Sequence, residues 1–301
     1  MNIIKQAKIA RIVIRDLISH PLNREHKMAA VKRFVKWQIT SRLFPSYPII
    51  YPFTEKAKLI VKRGMSGATG NLYSGLHEYY DMSFLLHFLR SGDFFVDVGA
   101  NIGSYTILAS AHTGARSFSI EPVPSTFSHL MQNIYVNNMS NKVKALNVAT
   151  GAEKGSVNFT TAYDAGNHVA TKDEHNTIEV PVETLDDILK DHSVPTLIKI
   201  DVEGFETEVI KGASNTLSNP DLKAVIIELN GSGSRYNYNE QEVYNTFISL
   251  GFSPFVYDPK DRSLVVKEKL GAANTIYIRD MDFVKKRIET AARVNIFNMS
   301  F

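Results

Sequence analysis

Phe94-Phe95-Val96-Asp97-Val98-Gly99-Ala100-Asn101-Ile102-Gly103-Ser104-Tyr105-Thr106 reads as a strand, a glycine turn and the start of a helix. Residues 94–98 are apolar, β-branched or aromatic apart from Asp97, the pattern of a parallel strand buried on both faces. Gly99 to Gly103 turns the chain, and Ser104–Ala111 has helical spacing. Strand, turn and helix in this order form the first unit of a doubly wound nucleotide-binding sheet. Glycine at the turn lets a ligand approach the backbone closely. Asp97, at the carboxyl end of the strand, is costly to bury unless something hydrogen-bonds it.

The turn carries Gly99 and Gly103 but lacks the third glycine of the dinucleotide fingerprint, which argues against a dinucleotide pyrophosphate. Arg116–Ile120 reads as the next strand. Glu121 ends it about twenty residues after the turn, where an acid binds ribose hydroxyls. The combination points to an adenosine-type ligand without a phosphate cradle.

The chain has 301 residues, 44% of them hydrophobic and 22% charged, enough for a substantial core. It has no cysteine, which excludes disulfides, thiolate catalysis and cysteine-ligated zinc and fits a reducing compartment. No apolar run has the length of a membrane span or a secretion signal, so a cytoplasmic location is expected. Net charge is +3, unevenly spread: residues 1–50 hold ten Lys/Arg against Asp16 and Glu25, leaving −5 for the remainder.

Ile3–Ile18 is expected to be a basic amphipathic helix, with Ile4, Ile9, Ile12, Val13 and Leu17 as its apolar stripe. A second helix is expected over Met28–Leu43, around the single Trp37. Pro45, Pro48 and Pro52 then suggest an irregular extended connection. Residues 1–58 therefore read as a basic helical extension that either docks on an anionic membrane or glycan or packs on the body. Residues 59–301 read as one α/β domain. A nucleic-acid partner is not expected, because basic and aromatic residues do not alternate in the arm. Oligomeric state is not legible.

Gly64, Gly67, Gly70 and Gly75 are expected to punctuate a loop, with His77, Glu78 and Asp81 just after it. Strands are expected over Val143–Val148, Thr196–Ile200, Lys223–Glu228, Ser253–Tyr257 and Asn274–Ile278. A hairpin around 157–181, carrying Asn167 and His168, is expected over the carboxyl edge of the sheet. The alternation predicts a seven-stranded sheet with an antiparallel edge.

Such sheets bind ligands at the carboxyl ends of their strands. That rim would hold Asp97, Glu121, Asn147, Asp201 with Glu203, and Glu228 with Asn230. Lys199, Asp201 and Glu203 alternate, so pleat geometry points them the same way. Two carboxylates beside an ammonium suit the orientation and deprotonation of a substrate hydroxyl. No metal site is expected, since no His or third carboxylate has ligand spacing to Asp201 and Glu203. His168 is a candidate general base. His77, Asn230 and Arg235 are candidates for the acceptor, Arg235 as a clamp for an anionic group.

Val96–Thr106, Glu121–Phe127, Leu146–Gly151, Thr184–Leu189 and Leu197–Ala213 (LIKIDVEGFETEVIKGA) together resemble the FkbM family of S-adenosylmethionine-dependent methyltransferases. The resemblance covers about residues 72–280. It implies a Rossmann-like fold and O-methylation of a sugar or related small-molecule hydroxyl by in-line transfer. Carried over by position, Gly99, Asn101 and Gly103 would line the methionine part of S-adenosylmethionine, Glu121 its ribose, and Asn147 to Ala149 its adenine. Glu78, Asp97, Thr106 and Asp201 complete the expected cofactor set. The resemblance fixes no catalytic residue. Two rivals stand beside it: an NAD-type oxidoreductase, and a non-catalytic membrane- or glycan-docking protein.

Overall fold

The computed structural model describes residues 3–268, 271 and 274–301, with only helical backbone described for 3–10. Helices α1 (Ile3–Ser19) and α2 (Lys27–Leu43) lead into a hairpin of β1 (Ile49–Pro52) and β2 (Lys58–Val61). Helices α3 (Ser66–Ser74) and α4 (Tyr79–Phe88) precede the first strand of the main sheet, β3 (Phe94–Val98). Then follow α5 (Ser104–Ile107), β4 (Arg116–Ile120), α6 (Pro124–Val136) and β5 (Val143–Leu146). A side sheet of β6 (Ala149–Thr150), β7 (Gly155–Thr160) and β8 (Thr177–Glu183) comes next. The chain returns through α7 (Leu185–Leu189) to β9 (Leu197–Ile200), α8 (Glu206–Lys211), α9 (Ser214–Ser218) and β10 (Ala224–Ile227). It closes with α10 (Glu240–Ser249), β11 (Ser253–Asp258), β12 (Ser263–Val266), β13 (Thr275–Ile278) and α11 (Met281–Glu289).

The main sheet has the order β12-β11-β13-β10-β9-β3-β4-β5. From β5 to β10 every pairing is parallel, and β3 lies between β4 and β9. This is a doubly wound, Rossmann-like α/β fold whose strand order reverses beside β3, where such folds bind ligands. Alternate side chains feed two cores. Phe94, Val96, Val98, Ile198 and Ile200 face one layer, and Phe95, Leu197, Ala224 and Ile226 the other.

On the second face the apolar pattern breaks at the carboxyl ends. Ser119, Asp97 and Lys199 stand in register across β4, β3 and β9. All three are buried, so a polar row lies beneath the rim.

Several expectations are corrected. Among the described residues the sheet has eight strands rather than seven: Ser263–Val266 pairs with β11 and forms the antiparallel edge. The other antiparallel strand, β13, pairs with β10 on one side and β11 on the other, so it lies within the sheet and not at its edge. The glycine segment is not a loop. Gly67 and Gly70 lie inside α3, despite a helix penalty of about 1 kcal/mol each relative to alanine. A Cβ on Gly70 would lie 2.8 Å from the His77 ring, so close packing requires the missing side chain. Pro48 and Pro52 do not keep residues 49–52 irregular, since these pair with β2 at a two-stranded edge. Ile4, Ile9, Lys5 and Lys8 lie outside the residues whose side chains are described.

The N-terminal helices are tied to α3. Asn23 Nδ2 donates to Leu17 O and Tyr73 O, and Arg33 donates to Asn23 Oδ1 and Tyr73 O. Arg33 also lies over the Phe297 ring at 3.7 Å, while Trp37 is buried. Among the described residues no helix is long and apolar enough to cross a membrane.

Candidate active site

A cleft of about 280 Å³ opens at the carboxyl ends of β3, β4, β9 and β10, close to the lower limit of ~300 Å³ for small-molecule sites. Its floor is the turn after β3. Gly99 has φ +76°, and a Cβ there would lie 1.8 Å from Asp201 O, so the two rim turns cross where only glycine fits. Gly103 has φ +89° and packs on Leu130, outside the cleft wall.

Asp97 is held from below. Thr106 N and Oγ1 donate to its Oδ2 at 3.1 and 2.7 Å, so Thr106 supports the site rather than lining it. Asp97 Oδ1 is buried and has no partner among the described residues. Burial pushes the Asp97 carboxyl up, opposed by Lys199 and the Thr106 hydrogen bonds. An orphan carboxylate oxygen on a cleft wall fits a ligand ammonium group, because leaving it unmatched is costly.

Glu121 Oε2 accepts from Asn101 N and Oε1 from Val123 N, both at 3.0 Å. Burial pushes this carboxyl up to about 7, against the pull of those two donors. A carboxylate has about four acceptor positions, so two remain for ligand hydroxyls. Asn147 does not face the cleft. Its amide donates to Glu121 O and Pro122 O, fixing the turn that carries the acid. Ala149 and Val148 line a smaller apolar slot that shares Gly99, Pro122, Phe159 and Val202 with the cleft. An acid and an orphan anion fit the ribose and ammonium of the cofactor that the resemblance implies, while the slot, at about 10 Å³, has room for no more than a water as it stands.

Lys199, Asp201, Glu203 and Glu228 form the opposite wall. Lys199 Nζ donates to Asp201 Oδ2 at 2.7 Å and lies 4.7 Å from the Tyr105 ring centroid. Burial alone would lower the Lys199 pKa, but Asp201, Glu78 and Asp97 outweigh it and raise it. Glu203 reaches the cleft through a left-handed backbone, φ +54°, and not through the pleat, because β9 has already ended at Ile200. Arg235 Nη1 donates to Glu203 O at 2.7 Å and holds that turn from outside the cleft.

Asp201, Glu203 and Glu228 present carboxylate oxygens all within 4.8 Å of one another. The lack of a third carboxylate, on which the expectation of no metal site rested, is therefore corrected: Glu228 supplies it from the neighbouring strand. Burial, then the charges of Asp201 and Glu203, push Glu228 up to about 8 against the pull of Lys199. Burial and Asp201 likewise raise Glu203.

His77 and Glu78 line the cleft, and Glu78 Oε1 accepts from Asn274 Nδ2 at 2.8 Å. Asn230 does not; its Oδ1 caps the next turn by accepting from Ser232 N. His168 is the main correction. It is buried outside the cleft, stacked on Tyr163, with Nδ1 on Gly166 O and Nε2 on Glu174. Both ring nitrogens are occupied, so neither faces a substrate. His168→Ala is expected to leave kcat unchanged and to lower Tm by about 2–4 °C, checked by assay and thermal denaturation.

Sequence reasoning expected the segment carrying Asn167 over the sheet's carboxyl edge but missed the rest of the cleft's outer rim. Ser66, Gly67 and Asn71 come from α3, while Asp164 and Asn167 come from the segment between β7 and β8. Asp164 Oδ2 accepts from Ser66 N and Ser66 Oγ, both at 2.6 Å, joining the two across the cleft. The one available signal was the asparagine beside His168: Asn167 lines the cleft and its neighbour does not.

Comparison with known proteins adds four findings. A model described as the methyltransferase FkbM domain matches residues 97–254. Hexuronic acid methyltransferase AglP of Haloferax volcanii is 28% identical over 203 residues, 66% of this chain and 72% of that protein. Methyltransferase sdnD of Sordaria araneosa is 26% identical over 159 residues, 41% of this chain and 61% of that protein. The solved FkbM methyltransferase of Methylobacillus flagellatus is similar over 70% of this chain and 53% of that one, with 21% identity and a TM-score of 0.43. The chain thus spans less than two thirds of the second relative and about half of the solved structure.

Proposed function

Because the chain belongs to the FkbM methyltransferase family, we propose that it transfers a methyl group from S-adenosylmethionine to a hydroxyl of a neutral sugar or similar polyol. The observation that carries this reading is the cleft wall, with seven carboxyl side chains against the single ammonium of Lys199. That wall suits a cofactor with two cationic centres and an acceptor without negative charge. The relative from Haloferax volcanii is named for hexuronic acid. A uronate here would face uncompensated carboxylates, since Lys199 is already paired with Asp201.

When bound, the cofactor supplies a methyl group on a sulfonium sulfur, activated for in-line displacement. The chain's own residues do the rest. Glu121 holds ribose hydroxyls, Asp97 Oδ1 meets the ammonium, and Gly99 lets the ligand lie against the backbone. Asp201, oriented by Lys199, and Glu203 accept from neighbouring hydroxyls of the acceptor. Glu228 takes the proton of the hydroxyl that is methylated. Its raised pKa brings it close to the working pH of a general base.

Transfer of labelled methyl to paired acceptors tests this: methyl pyranosides against the corresponding uronides. Labelling of the neutral member, at least about tenfold faster, is expected. Preferential labelling of the uronides would overturn the neutral-acceptor reading.

A further inference from the structure

Helix α2 carries apolar residues on two opposite faces. Ala30 and Trp37 are buried inward. Met28, Val35, Ile39 and Leu43 point outward, and Met28 is 82% and Leu43 68% exposed. At 100° per residue these four fall within about an 80° arc, one continuous stripe. Phe44 and Tyr47 extend it past the helix end, 55% and 72% exposed. Single exposed hydrophobics are ordinary, but a contiguous stripe marks an interaction surface.

Basic residues are interleaved with the stripe. Lys32 lies within the same arc, Lys36 and Arg42 flank it, and all three are exposed. On the neighbouring helix α1, Arg11 is exposed and Arg15 is exposed but paired with Asp16. No acidic residue occurs in α2.

We propose that this face of α2, with the segment to Tyr47, docks peripherally on an anionic lipid bilayer. Apolar side chains in the plane of the interface with lysines among them are what a bilayer with acidic headgroups accommodates. Charge complementarity decides the occupant. A second copy of the chain would set Lys32 and Lys36 against the same cations, a like-charge contact that disfavours the dimer. The opposite face is tied to α3 through Arg33 and Gln38, which bond Tyr73. Docking therefore leaves the fold and the cleft as they are.

Sedimentation of the full chain with vesicles tests the surface. Phosphatidylcholine vesicles are compared with vesicles rich in phosphatidylglycerol, at low and high salt. Binding to the anionic vesicles is expected, weakened by salt, and reduced about tenfold or more in Ile39→Glu/Leu43→Glu and in Lys32→Glu/Lys36→Glu. Both variants should keep the circular dichroism and S-adenosylhomocysteine affinity of the parent, because these side chains point away from the core. Equal binding to neutral vesicles, no binding, or binding unaffected by either variant would overturn the proposal. So would a concentration-dependent dimer that Ile39→Glu/Leu43→Glu dissociates.

Discussion

Glu228→Gln is expected to lower kcat by about 10²–10⁴-fold, the range general-base catalysis contributes. The substitution keeps the size of the side chain and removes only its capacity to accept a proton. S-Adenosylhomocysteine affinity should change little, because Glu121 and the Gly99 turn are untouched. The pH profile separates this loss from a merely structural one. A carboxyl raised to about 8 is protonated below that pH and becomes a base as pH rises through it. The parent's kcat/KM should therefore rise with pH and level off above about 8. Glu121, pushed to about 7, contributes a second rising limb. In Glu228→Gln only that lower limb should remain. A variant with parental kcat, or one whose profile still breaks at about 8, would remove Glu228 from the reaction.

Glu121→Ala should weaken S-adenosylhomocysteine binding by about a hundredfold or more. Two hydrogen bonds from an anionic acceptor contribute ~1.5–3 kcal/mol each. The same carboxylate also receives Asn101 N and Val123 N, so its removal leaves the glycine turn without its brace. Glu121→Gln should fall between parent and Ala, since one amide oxygen can serve only part of this set. Parental affinity in Glu121→Ala, measured by calorimetry, would sink the ribose assignment.

The parts of the site carried by local chemistry were legible in the sequence. The strand with its single acid, the glycine turn and the acid ending the second strand come from adjacent residues, and the structure keeps all three in the order read. What failed depended on distant partners. Glu228 was assigned to the rim, but its closeness to Asp201 and Glu203 comes from the parallel pairing of β9 and β10, across an intervening crossover. His168 sits in a polar segment of the chain. Only the fold shows that Gly166 O and Glu174 close around its ring.

Glycine spacing misled over residues 64–75 because helix propensity was weighed without the tertiary demand for close packing on His77. The position of β13 between β10 and β11 is likewise a property of the whole sheet, absent from any single segment.

Calorimetric titration of the full chain with S-adenosylmethionine, S-adenosylhomocysteine and NAD tests the cofactor assignment most directly. Saturable binding of the two sulfur ligands, with none of NAD, is expected from the Asp97–Glu121 cleft and its two-glycine turn. Binding of NAD, or of neither sulfur ligand, would contradict it.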